Sequence, residues 1–149
     1  MKHITDFDIN DYHTVPVPDC GYLDLEKGYY ILVSLNEEAS NDMWGRGIYS
    51  EEGDGINPDM LCLRFHEDTF NYMNPYIFDI LNRKVIQGFP IGPYEEAYID
   101  TPEMVEEAIK TMELILRNAD DKAVIDFGKI LLEMLQIAKE NNTIVGFLL

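Results

Sequence analysis

The chain contains 149 residues, of which 28 are Asp or Glu and 11 are Lys or Arg, so its formal net charge is −17. A surface this acidic repels phosphate backbones and anionic lipid headgroups, which excludes ordinary nucleic-acid and membrane binding. Apolar residues make up 46% of the chain, which excludes intrinsic disorder, and the length predicts a single globular domain over residues 1–149.

The N-terminal residues lack the apolar core of an export signal and become acidic at Asp6. The longest stretches without a formal charge are ten residues, 69–78 and 85–94, whereas a membrane-spanning helix needs ~20 apolar residues. Without an export signal, Cys20 and Cys62 are predicted to be reduced thiols, with Cys62 buried among leucines. These features together predict a cytoplasmic protein.

Strand patterns dominate the first 65 residues. Residues 12–17 alternate in character, but their prolines restrict them to an edge strand or an extended arm. The clearest strand is 29–35, rich in aromatic and β-branched residues, and 60–65 is a second central-strand candidate. Residues 36–59 are loop-like, although Gly47–Tyr49 could form a short strand.

The run from Asp6 to Asp11 superficially resembles a calcium-binding loop. It lacks the glycine required at the sixth position and the glutamate required at the twelfth, so we interpret it as a solvated acidic arm.

Helical patterns dominate the rest of the chain. Residues 66–83 carry apolar residues at three- and four-residue steps, and Pro75 predicts either a kink or a helix that begins there. A loop rich in Gly and Pro follows at 87–94. Asp100 or Thr101 is the predicted cap of the next helix, with Pro102 in its first turn.

Residues 118–120 are predicted to end that helix and cap the last one. The core stripe predicted for the last helix consists of Val124, Phe127, Leu131, Met134, Leu135 and Ala138. An apolar segment at 143–149 is predicted to form a strand beside the earlier ones, because an exposed apolar chain end would be a liability. The expected fold class is therefore α+β, with a mostly antiparallel sheet of three to five strands and about three helices packed on one face.

The sequence contains no recognisable catalytic signature. His3, His13 and His66 are scattered and have no thiol at metal-ligand spacing, and there is no phosphate-binding loop or nucleophile elbow. Paired carboxylates are abundant, but abundance weakens an acid–base interpretation, because catalytic carboxylates need differently tuned environments. We therefore predict a protein that is not an enzyme and that needs no metal or cofactor.

The distribution of charge is more informative. The segment from Glu37 to Asp59 carries seven acids around one base, Arg46, with Met43 and Trp44 interleaved. A second acidic patch begins at Tyr94 and reaches residue 107 without a base. Aromatic rings set among carboxylates are suited to binding a basic protein, because rings can anchor while carboxylates steer the encounter. The residues predicted to contact that partner are Glu37, Glu38, Asp42, Trp44, Tyr49, Glu51, Glu52, Asp54, Glu95 and Glu96.

An acidic α+β domain with the segment EEASNDMWGR at residues 37–46 resembles the immunity proteins of bacterial polymorphic-toxin and contact-dependent-inhibition systems. The resemblance implies tight binding to a cognate toxin domain, often a basic nuclease, by covering its active site or substrate groove. Two alternatives stay open: a nucleic-acid mimic that inhibits a DNA-binding protein, and a small carboxylate-dependent enzyme.

Overall fold

Strands from both ends of the chain meet in one mixed sheet. The structure is a computed structural model that describes residues 3–10, 13–17, 29–36, 60–93 and 96–149. The strands are β1 (His3–Asp8), β2 (His13–Val17), β3 (Tyr29–Ser34), β4 (Met60–Phe65), β5 (Glu96–Ile99) and β6 (Val145–Leu148). Their order in the sheet is β2-β1-β4-β3-β6-β5.

All the neighbouring strands pair antiparallel except β1 and β4, which are parallel. The expected α+β class is confirmed. The sheet has six strands, one more than the upper end of the predicted range, because β1 and β5 join the four segments that the sequence indicates. The apolar C-terminal segment does enter the sheet, where β6 pairs with β3 and β5. The possible strand at 47–49 lies outside the described residues.

The helices are α1 (Glu67–Met73), a π-helical turn (Asn74–Phe78), α2 (Asp79–Lys84), α3 (Pro102–Asn118) and α4 (Lys122–Asn141). The first three form one continuous helical segment. Thr101 caps α3, accepting a hydrogen bond from the Met104 N–H at 3.1 Å, as predicted. Asp121 caps α4, accepting from the Ala123 N–H at 2.8 Å. The predicted cap at 118–120 is therefore one residue too early.

The helices pack on one face of the sheet. Residues of β1, β3 and β4 that share this face, such as Phe7, Ile31 and Phe65, belong to the same buried cluster as the inner sides of the helices. All six residues of the core stripe predicted for α4 are buried. On the opposite face Tyr30 and Leu32 are also fully buried, so β3 is enclosed on both sides.

Residues 6–8 of the segment interpreted as a solvated acidic arm belong instead to strand β1, and for these residues that interpretation is wrong. Phe7 is buried and packs edge-on against Phe127 at 5.2 Å between ring centroids. Asp6 points to the opposite face, where Arg64 donates to its two oxygens at 2.5 and 2.7 Å. Arg64, on β4, compensates the charge of Asp6. The Asp6 carboxylate in turn raises the pKa of Arg64 further above its ordinary value.

We expect Asp6→Asn to lower the free energy of unfolding by about 1–2 kcal/mol, because a two-pronged charged contact is lost from a partly buried site. The matched control is Asp79→Asn, since Asp79 lies 4.0 Å from Arg83 with both side chains exposed. That pair should contribute less than about 0.5 kcal/mol. Urea unfolding of both variants measures the difference, and equal losses would show that the Asp6–Arg64 contact adds nothing.

Helices α3 and α4 approach each other closely at Gly128. A Cβ atom at this position would lie 2.8 Å from Leu116 Cδ2 and 3.3 Å from Met112 Cε. We expect Gly128→Leu to destabilise the fold by about 1–3 kcal/mol through overpacking. Gly128→Ala should stay within about 1 kcal/mol of the parent, because the gain in helix propensity offsets a small shift of the Leu116 side chain. Thermal and urea unfolding that ranked the two variants in the opposite order would contradict this packing.

Candidate protein-binding surface

The candidate site begins at the outer edge of the sheet. Strand β5 is the last strand in the sheet order, so no described strand pairs with its outer side. The unpaired backbone groups of an edge strand are a ready template for contact with another chain, and proteins usually protect them. The strand is short, with Ala97 and Ile99 facing the core and Glu96 exposed.

A groove of about 460 Å³ runs beside this edge. One wall consists of the residues that follow α2, including Ile86 and Phe89, and the other consists of β5 and Asp100. Gly88 adopts φ +118°, a backbone conformation that side chains disfavour, and thereby turns the chain at Phe89. The Phe89 side chain is 73% exposed, more than any other large apolar side chain among the described residues.

Five carboxylates lie along residues 96–107 without an intervening base, and we call this segment the acidic edge. Its acids are Glu96, Asp100, Glu103, Glu106 and Glu107. Glu103 lies in the first turn of α3, where the helix dipole favours a negative charge, so it also stabilises the helix.

Only one carboxylate of the acidic edge has a basic partner within ion-pair distance among the described residues. Lys139 lies 2.9 Å from Glu106 Oε2, and this contact lowers the pKa of the Glu106 carboxyl. Glu103 and Glu107 lie one helical turn apart on the exposed side of α3, in a shallow depression with Lys110 at its margin. The acidic edge therefore presents charge that the rest of the described fold does not neutralise.

Tyr98 forms a hydrogen bond with one of these carboxylates, Glu96, within strand β5. Its hydroxyl donates to Glu96 Oε2 at 3.0 Å, and its ring is half-buried against the groove. Burial and then the Glu96 contact raise the pKa of Tyr98 to about 12. The hydroxyl is consequently a hydrogen-bond donor throughout the physiological range, and it holds the Glu96 carboxylate in place.

Of the ten residues predicted to contact a partner, the structure describes only Glu96, which is exposed on β5. The nine others are Glu37, Glu38, Asp42, Trp44, Tyr49, Glu51, Glu52, Asp54 and Glu95, and they lie outside the described residues. The second acidic patch, predicted from Tyr94 to Glu107, corresponds to the acidic edge over its described part. The residues predicted from the sequence do not include Phe89. A large apolar residue inside a loop rich in Gly and Pro could have indicated it, because such a residue is often exposed at an interaction site.

Across the described ranges, no three His, Cys, Asp or Glu side chains converge into a group that could hold a metal ion. Cys62 is buried in β4, as its apolar context predicts, and Cys20 lies outside the described residues. None of the described helices combines the length and the apolar character needed to cross a membrane.

Comparison with known proteins identifies no relative. No family model matches the chain, and no curated protein or solved structure matches it at a significant level. The inference of function therefore depends on the geometry of the described surfaces and on the sequence.

We expect the wild type to lose stability more steeply than Tyr98→Phe between pH 10 and pH 12. In the unfolded chain Tyr98 ionises near its ordinary pKa of about 10, whereas the folded state holds the proton up to about 12. Its stabilisation is therefore complete below pH 10 and disappears as the pH rises through 12. The free energy of unfolding of the wild type and of Tyr98→Phe, measured at pH 9 and pH 11.5, tests this prediction. An equal decrease in the two proteins between these pH values would contradict it.

Proposed function

We propose that the chain is an immunity-type inhibitor that binds a basic toxin domain in the cytoplasm through the acidic edge and the groove beside it. The observation that carries the proposal is one juxtaposition at the rim of the sheet. The outer strand β5, the exposed Phe89, Glu96 and Asp100 border one groove, and Glu103, Glu106 and Glu107 follow on the first turns of α3. The resemblance to immunity proteins supplies the identity of the partner, and the contacts predicted from the sequence at 37–54 lie outside the described residues.

The two components of this surface act at different stages of binding. The carboxylates attract a Lys- or Arg-lined groove over a distance of ~10 Å at moderate salt, which accelerates encounter. Phe89 then enters the partner, where an aromatic side chain can contribute well over 1 kcal/mol once it is desolvated. In this mechanism the inhibitor occupies the groove that normally holds a polyanionic substrate, and inhibition is competitive.

The test starts with capture of the partner from the native host, with neighbouring gene products present. Association of the captured partner is then measured at 25 and 250 mM NaCl with the wild type and with Glu103→Gln/Glu107→Gln. We expect the wild-type association rate to fall about tenfold or more with salt, and the double variant to associate several-fold more slowly at low salt. The matched control, Asp120→Asn/Glu133→Gln, removes the same charge from exposed positions just before and within α4 and should change the rate far less.

Phe89→Ala should leave the association rate unchanged and accelerate dissociation at least fivefold. Capture of no basic or toxin-like protein would contradict the proposal. An equal loss of association rate in the site variant and the matched control would show that general charge acts, rather than the acidic edge.

A further inference from the structure

A second groove lies on the helical side of the molecule, away from the acidic edge. It has a volume of about 400 Å³, and the helical segment 74–84, the end of α3 and the start of α4 enclose it. Its lining is mostly apolar and includes Pro75, Tyr76, Ile80, Leu114, Ile115 and Val124. We call it the π-turn groove.

The π-helical turn shapes one wall of this groove. Pro75 has no N–H to donate to the preceding turn, and the Asp79 N–H donates to the carbonyl of Asn74, five residues back. Such wide turns are rare and often occur at functional sites. Here the turn buries both Ile77 and Phe78 and leaves Tyr76 on the outside, 49% exposed. On the opposite wall Leu114 is 42% exposed, so both walls present apolar surface to solvent.

Two cations, Arg83 and Lys84, line the same groove. Arg83 donates from Nε to the Asp79 carbonyl at 3.3 Å and keeps its side chain 69% exposed. Lys84 makes no ion pair with any described residue. Both belong to the last turn of α2, where their positive charges interact favourably with the negative end of the helix dipole. Stabilising the end of a helix does not require these side chains to line an apolar groove. The chain has a net charge of −17 and only 11 Lys and Arg residues, so two adjacent cations stand out against the rest of the sequence.

We propose that the π-turn groove binds a small amphipathic carboxylate, with its apolar part between Tyr76 and Leu114 and its carboxylate at Arg83 and Lys84. The volume lies within the range of about 300–1,000 Å³ typical of small-molecule sites. The Asp79 carboxylate, 4.0 Å from Arg83 Nη2, offsets part of the positive charge, as do the C-terminal ends of α2 and α3 with roughly −0.5 charge each. Among the described residues, the charged side chains that line the groove itself are Arg83 and Lys84. A guanidinium can donate two parallel hydrogen bonds to a carboxylate, and the neighbouring Lys84 ammonium adds a second positive charge. The same two groups would repel a cationic ligand. This proposal is independent of the acidic edge.

The probe for the test is sodium decanoate, used below the concentration at which it forms micelles. Decyltrimethylammonium and decanol are also ten-carbon chains, the first with a positively charged head group and the second with an uncharged one. We expect saturable one-site binding of decanoate by calorimetry, with amide shifts confined to the helical segment 74–84 and the end of α3. Decanol should bind at least tenfold more weakly, and the cation should not bind at this groove.

Arg83→Gln/Lys84→Gln should weaken decanoate binding at least tenfold, and Leu114→Ser should weaken decanoate and decanol alike. All three positions are exposed, and melting temperatures near that of the wild type verify the fold. The matched control is Lys129→Gln, an exposed base of α4 outside the groove, which should bind as the wild type does. Equal affinity for the three probes, shifts spread over the whole surface, or unchanged binding in the double variant would overturn the proposal.

Discussion

The packing of Phe78 between the helices and the sheet is the contact on which the rest of this structure depends. Its ring stacks on Phe70 and Phe65 at centroid distances of 5.0 and 6.1 Å. It also meets Phe127 and Phe147 edge-on at 5.9 and 6.4 Å. These four rings come from α1, β4, α4 and β6, so one fully buried side chain joins two helical segments to two strands.

Both surfaces lie beside the helical segment that carries Phe78 or the residues that follow it. Within the π turn Ile77 and Phe78 are both buried and face the core. The same turn directs Tyr76 outwards and forms the wall of the π-turn groove. Beyond it, α2 ends at Lys84 and the chain crosses to β5, which brings Phe89 beside the acidic edge. The π-turn groove and the groove beside the acidic edge therefore adjoin α2 and the residues that follow it.

The sequence predicts the elements whose pattern is local. The α4 stripe has a helical period and strand β3 is rich in aromatic and β-branched residues, and the structure confirms both elements. The sequence does not predict strand β1, because an aspartate within a sheet needs a compensating partner, and Arg64 lies 58 residues away in the chain. The sequence does not predict the π turn, because Pro75 is equally compatible with a kinked helix and with a helix that begins there. The exposure of Phe89 at an outer strand follows from the strand order, which no local pattern encodes.

The most direct test of this account is a double-mutant cycle between Phe78 and Phe127, measured by urea unfolding of Phe78→Leu, Phe127→Leu and the double variant. If the two rings join the helices to the sheet through a shared contact, their coupling should be about 0.5–1.5 kcal/mol. Additive losses, with a coupling below about 0.3 kcal/mol, would contradict the central place given to Phe78.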